Sequence, residues 1–167
     1  LPNRNLEKQG AYYVTEPSKS VYRIYRDTRF STNKTQYKTH IGPLLWHQKL
    51  GKNGGAALYF HVSTKELLVA GGLYHIPADM LLTVRHHIAE HHEGLRTILK
   101  RKAVKEDLGD LRGDSLSRPP KGWPADHPAI DLIKRKDLLL EVELDPKLAL
   151  NPDVLGEITR RFRAMLP

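Results

Sequence analysis

The densest chemistry in the chain lies between Arg23 and His40, where Arg23, Arg26, Asp27, Arg29, Lys34, Tyr37, Lys38 and His40 fall in one short segment. In an extended strand, alternation puts Val21, Arg23, Tyr25, Asp27 and Arg29 on one face, and Tyr22, Ile24, Thr28 and Phe30, beside Arg26, on the other. Two guanidinium forks then flank one carboxylate. Forks held in fixed directions by Asp27 suit a phosphate or carboxylate ligand, because each can grip two oxygens at once. The same Arg–Asp–Arg set also fits a second reading, an ion network that ties strands together and binds nothing.

A second constellation follows. Tyr59 and His61 share a face with Ala57 and Ser63, while Leu58, Phe60 and Val62 face the opposite way and form core. If the polar face adjoins the first set, arginines, a carboxylate, an imidazole and phenols make a pocket for a small anion. In an enzymatic reading His61 or His40 is the acid or base and Asp27 the orienting group. His40 equally reads as a sheet histidine with satisfied hydrogen bonds. The ligand-binding candidates are Arg23, Arg26, Arg29, Lys34, Tyr37, Lys38 and Tyr59. The sequence carries no Walker loop, dinucleotide fingerprint or recognisable nucleophile, and no cofactor is expected.

Two further motifs ask for a function. His86, His87, His91 and His92 invite a metal, and His87-Ile88-Ala89-Glu90-His91 spells the inverted zincin string His-x-x-Glu-His. So short a string recurs by chance and no later helix offers a third ligand, so a mixed helix face is the simpler reading and no metal site is expected. The proline-rich stretch 118–128 is too rigid for a plain linker. Its Trp123 is expected to pack back on the sheet, making the loop either a lid over the polar face or a seal at the core edge.

These residues need a sheet to position them. Residues 21–30 read as a β-rich strand, and residues 37–47 as a second, broken at Gly42-Pro43 by a bulge or an edge position. Residues 56–62 and 67–76 read as a hairpin, and 138–144 as a fifth strand. Gly71 and Gly72 sit mid-strand, where either a ligand or a closely packed helix would require them. Pro77 opens a helix reaching about Lys102, with Leu81, Val84, Ile88, Leu95 and Leu99 as its apolar stripe. A short helix over 128–135 and a closing helix capped by Asn151 and begun by Pro152 complete the chain. Strands followed by helices make an α+β domain: an antiparallel sheet of about five strands with helices packed on one face. Residues 1–20 read as an irregular lead-in and 21–167 as the single domain.

Composition narrows the class. The 167 residues include no Cys, which excludes disulfides, thiolate nucleophiles and cysteine-bound metal. The longest apolar run, 67–74, contains two glycines and falls far short of the ~20 residues a bilayer span needs, so no membrane partner is expected. A cytoplasmic location fits this composition. The net charge of +8 is uneven: residues 1–50 hold nine Lys/Arg against three Asp/Glu, and residues 95–136 eleven against six. That balance favours phosphates or nucleic acid, although the run around Lys100-Arg101-Lys102 reads equally as a solvated helix end.

The pattern Arg23-x-x-Arg26-Asp27-x-Arg29-Phe30-x-x-Asn33-Lys34-x-x-Tyr37 resembles the signature of a widespread, mainly bacterial family known as domain of unknown function 2461, with Asn33 at an Asn/Asp position. Tyr59-x-His61 with Gly71-Gly72, and Pro120-Lys121-Gly122-Trp123 leading to His127-Pro128, resemble it too. Together these stretches span roughly residues 21–136. Longer members begin with a helical segment carrying an Asn-rich turn and a Trp-Phe pair; residues 1–19 do not resemble it, and either a truncated start or a lost piece of the domain is expected. The resemblance implies a fold and a site region, with no established activity. The leading expectation is therefore a binding domain for a small anionic ligand, with a nucleotide or nucleic acid as a possible form of it. The alternatives are a hydrolase-like enzyme using a His acid/base, and an ion network whose function lies in a protein interface.

Overall fold

Alternation of side chains along the strands sorts this molecule into a covered face and an open one. The computed structural model describes residues 12–27, 29–30, 32, 34–52 and 54–166; residues 1–11 of the lead-in and Asn33 of the motif lie outside them. Strands β1 (His40–Ile41), β2 (Leu44–Trp46), β3 (Ala57–Ser63), β4 (Leu67–Leu73) and β5 (Leu138–Leu144) form one antiparallel sheet. β1 and β2 lie end to end along β3, which is followed by β4 and then β5. The register opposite β3 is the same on both sides of the Gly42-Pro43 break, so these residues interrupt the ladder without inserting a bulge. Proline lacks the N–H that a ladder needs, and an edge strand tolerates the loss. Gly42 is needed there because a Cβ would run into the Phe60 carbonyl oxygen.

Register pairs set the two faces. Leu45, Leu58, Val69 and Leu67 with Val142 and Leu144 point to one side; Tyr59, His61, Ala70, Leu68, Leu139 and Glu141 point to the other. The first side receives helix α5 (Val154–Met165), whose Ile158 and Phe162 join Leu58, Leu67 and Val69 in the main core, with the Phe60 and Phe162 rings 6.4 Å apart. Truncating a fully buried side chain such as Leu67 would cost about 2–5 kcal/mol. The remaining helices are α1 (Pro17–Ser20), α2 (Ala78–Leu99), α3 (Lys102–Asp107) and α4 (Ile130–Ile133). A second cluster packs Ile88 of α2 against Ala129, Leu132 and Ile133, and a third packs Val104 and Leu108 against Leu140. Arg85 bolts the second cluster together by donating from Nε to the Ile133 carbonyl at 2.8 Å.

The α+β class, the antiparallel sheet and most elements stand where the pattern predicts them. β5 coincides with its expected bounds, and α2 begins directly after Pro77. The closing helix starts at Val154, two residues later than expected, and Asn151 serves the turn before it by accepting from the Asp153 N–H. Two expectations differ. The described residues of 21–30 contribute no strand to the sheet; Val21 and Tyr25 instead bridge to Pro43 and Tyr37 in an outlying ribbon. Their β-rich composition describes a pleated surface, but Val21, Ile24 and Tyr25 remain exposed. Trp123 packs into the α2–α4 cluster, 5.1 Å from the His86 ring, and not on the sheet; the proline-rich loop therefore seals the helical layer.

The paired glycines answer to packing on one side and backbone on the other. A Cβ at Gly71 would meet the Met165 Sδ of α5, as the close-helix reading requires. At Gly72, with φ +134°, it would meet the Leu138 carbonyl oxygen. Gly72→Ala should therefore lower stability by about 1–3 kcal/mol from backbone strain alone, because a neighbouring strand cannot yield. Gly71→Ala should cost less, since the Met165 side chain can swing aside. Thermal unfolding of both variants checks this, and an equal loss in the two would contradict it.

Candidate functional site

Among the described residues no helix covers the other face of the sheet, which is concave. Its hollow has a volume of about 650 Å³ and takes its floor from Ala57, Tyr59, His61, Leu68, Ala70, Leu139 and Glu141. Tyr22, His40 and Lys52 stand on the β1/β2 side, and Tyr74, His75, Ile76 and Pro77 close the far end. That far rim is pinned by Asp137, only 3% exposed, which accepts from the His75 N–H at 2.9 Å and the Asp114 N–H at 3.1 Å. The polar floor is thus a consequence of core packing: with Leu58, Phe60 and Val62 turned inward, Tyr59 and His61 have only the open face.

A chain of hydrogen bonds organises this floor. The Tyr59 hydroxyl lies 3.1 Å from His61 Nδ1, and His61 Nε2 lies 3.0 Å from Glu66 Oε1. An ionised carboxylate only accepts, so the neutral imidazole carries its proton on Nε2 and Nδ1 receives the Tyr59 hydroxyl. Glu66 is held in place by the turn between β3 and β4. Ser63 Oγ accepts from the Lys65 and Glu66 N–H groups and donates to the Glu66 carbonyl. Burial, with Tyr22 and Glu66 nearby, pushes the Tyr59 phenol above its ordinary value, so it stays protonated at neutral pH. The arrangement has the order proton donor, base and orienting carboxylate, and it ends on a phenol.

His40 is the imidazole left over. Its ring lies 4.8 Å from that of His61, and no hydrogen bond to it is found among the described residues. Burial, reinforced by His61 and Lys38 and opposed by Glu66, holds His40 below its ordinary value. Tyr22 gathers the cations: Lys52 Nζ is 4.2 Å and Lys38 Nζ 5.0 Å from its ring centre, and Tyr22 itself meets Tyr59 edge to face at 6.5 Å. Lys52 also lies over Trp46 at 5.5 Å.

The residues expected from sequence divide into two groups. His40, Tyr59 and His61 come together in the hollow, and Lys38 reaches it through Tyr22. Arg23, Arg26, Asp27, Arg29, Lys34 and Tyr37 are absent from its lining and lie on the outlying ribbon. There the Arg29 guanidinium grips Asp27 with two hydrogen bonds, Nε to Oδ1 at 3.0 Å and Nη2 to Oδ2 at 2.7 Å, and this pair holds the Asp27 carboxyl below its ordinary value. Arg26 donates to Thr35 Oγ1 at 2.6 Å. Sequence reasoning missed Glu66, Lys52 and Glu141. Glu66 had a signal in the Ser63-x-x-Glu66 spacing of a turn directly beside His61, and Glu141 in the alternation of β5; Lys52, in a loop, had none.

The His87 and His91 rings are 4.5 Å apart, and among the described residues no third His, Asp or Glu joins them in a metal-holding group. His92 borders the apolar cluster and His127 accepts from the Ala129 N–H to start α4.

Two outcomes follow from this geometry. Because the Asp27–Arg29 pair is solvent-exposed, Asp27→Asn should leave the melting temperature unchanged, whereas unfolding of the variant would restore the sheet-stapling reading. For His40 the sign runs with burial of the neutral form. Below about 6.5 the unfolded chain binds a proton that the native imidazole refuses, so stability from this residue is full above that pH and is lost as pH falls through the depressed native value. Melting curves between neutrality and the carboxylate range should slope less in His40→Gln than in the wild type; parallel slopes would contradict the assignment.

Among the described residues no helix is long and apolar enough to cross a membrane. No curated protein and no solved structure matches the chain. The sequence profile of one family, described as a conserved hypothetical protein (DUF2461), matches residues 5–167, which extends well into the lead-in that was expected to lie outside the resemblance. Covering nearly the whole length, that match places the chain in the DUF2461 family.

Proposed function

We propose that this protein binds a small anionic ligand in the hollow on the open face of its sheet. The observation that carries the reading is the hollow itself, about 650 Å³ and lined by polar side chains that three different elements bring to one place. Its size is that of a small-molecule site, and apolar lining residues with a few converging polar groups are the usual composition of one. Lys52 and Lys38 around Tyr22 supply positive charge at the β1/β2 side. Ala70, Gly72 and Leu139 offer an apolar bed for the body of the ligand, and Tyr59 offers a hydroxyl. A phosphate- or carboxylate-bearing molecule with a flat apolar part matches this layout.

A second reading, catalysis on such a ligand, is favoured by the Tyr59–His61–Glu66 chain specifically. Both ring nitrogens of His61 already have partners. The group that would meet a substrate is therefore the Tyr59 hydroxyl, with His61 passing protons behind it, and His40 beside them as a free imidazole.

One titration addresses both readings. A panel of small phosphates and aromatic carboxylates at low salt, followed by amide chemical shifts, should move resonances of β3, β4 and the 74–77 rim. Lys52→Ala should weaken binding about tenfold, the loss of one charge-assisted contact. Shifts confined to other surfaces, or none with any compound, would remove the binding reading. If a p-nitrophenyl phosphate or ester in the panel is turned over, activity that persists in both Tyr59→Phe and Glu66→Gln would remove the relay from the mechanism.

A further inference from the structure

The outlying ribbon presents a second surface, separate from the hollow. Its two sides are joined at Tyr25–Tyr37, where the Arg26 N–H donates to the Gln36 carbonyl at 2.9 Å and the Lys38 N–H to the Ile24 carbonyl at 2.8 Å. This is a non-hydrogen-bonded pair of an antiparallel ladder, the kind in which side chains come closest. The two tyrosine rings accordingly lie 5.4 Å apart, yet they remain 56% and 53% exposed. Phe30 is 94% exposed, with the Arg29 guanidinium 5.8 Å over its ring. So much apolar surface on so short a ribbon marks a surface for a partner.

The partner's charge can be read from the neighbours. Residues 16–38 hold six Lys/Arg against two carboxylates, and both carboxylates are engaged, Glu16 with Lys19 and Asp27 with Arg29. Arg23, Arg29 and Lys34 are exposed on the same segment as the aromatic pair. A partner that complements this ribbon must be a polyanion with flat, apolar faces at close intervals. An acidic protein segment has the charge without the flat faces. A lipid interface also takes tyrosines and basic side chains, so it is the competing partner that anionic vesicles test below. A nucleic-acid duplex keeps its base faces inside its own stack. Unpaired bases combine both requirements, since they stack on aromatic rings while the adjacent phosphates meet Lys and Arg.

We propose that the exposed side chains around the Tyr25–Tyr37 pair form a docking surface for single-stranded nucleic acid, with bases stacked on Tyr25 and Tyr37 and phosphates held by Arg23, Arg29 and Lys34. It stands independently of the ligand proposed for the hollow. Aromatic stacking reads no sequence, so binding is tolerant of base identity, and its strength falls steeply with salt as phosphate counterions are released.

Fluorescence anisotropy with a labelled oligothymidylate tests it on the whole chain. The expected result is binding at low salt whose logarithm falls linearly with log salt, with a slope near −2 for three phosphate contacts at about −0.7 each. Tyr25→Ala should weaken binding about tenfold while Tyr25→Phe restores it, because the ring and not the hydroxyl carries the stack. Arg29→Ala should reduce the slope by about 0.7. Both residues are exposed and outside the core clusters, so unchanged melting temperatures will separate lost contacts from lost fold. Absence of binding at low salt, equal binding by Tyr25→Ala, tighter binding of a duplex of the same sequence, or binding of anionic vesicles in preference to the oligonucleotide would each overturn the proposal.

Discussion

Helix α5 has to sit on one face of a three-stranded unit whose side chains alternate without a break. Leu58, Leu67 and Val69 can bury against Ile158 and Phe162 only if their neighbours along the strands point the other way. A slip of β3 by one residue against β4 would turn Leu58, Phe60 and Val62 outward and bury Tyr59 and His61 against Phe162, at the cost of several desolvated polar groups. The hydrophobic core thus specifies the register, and the register specifies which chemistry faces the hollow. Stability and site are two readings of the same alternation.

The open face stays open because its composition offers a helix little to bury. Glu141 and Glu143 occupy β5 positions that would lie under any second layer, and Tyr59 and His61 are already committed to Glu66. Within the hollow the polar groups satisfy one another in sequence, from turn to carboxylate to imidazole to phenol. Ser63 matters here despite making no contact with the hollow's centre. By taking the N–H groups of Lys65 and Glu66 it fixes the carboxylate that in turn selects the tautomer of His61. A tight β3–β4 turn therefore tunes the far side of a ring two residues before it.

What was legible in the sequence follows the same physics. β3 alternates over its seven residues and β5 over Leu140–Leu144, while β4 is a continuous apolar run, and their bounds were readable to within a few residues because a buried face demands apolar side chains at every second position. Residues 21–30 were misread because Val21, Tyr22, Ile24 and Tyr25 satisfy β propensity, which reports fit to a pleated surface and not membership of a particular sheet. Residues 37–47 in turn were one stretch in the sequence and two strands in the fold, since Gly42-Pro43 breaks the ladder without changing its register. In the site, His40, Tyr59 and His61 were visible because they interrupt apolar strands. Glu66 and Lys52 were hidden because a carboxylate in a turn and a lysine in a loop are, by composition, ordinary surface residues.

The motif that attracted attention first is divided by Tyr22. Along the ribbon, Tyr22 turns into the hollow, where it carries Lys38 and Lys52 on its ring and meets Tyr59 at its edge. Its neighbours Arg23 and Tyr25 remain exposed beyond it, on the ribbon itself. A single extended segment with alternating side chains therefore need not serve a single pocket: one residue in it can complete the wall of a cavity while the next presents to solvent. Among the described residues, the positive charge of this segment is divided between the wall of the hollow, at Lys38 and Lys52, and the exposed ribbon, at Arg23, Arg29 and Lys34.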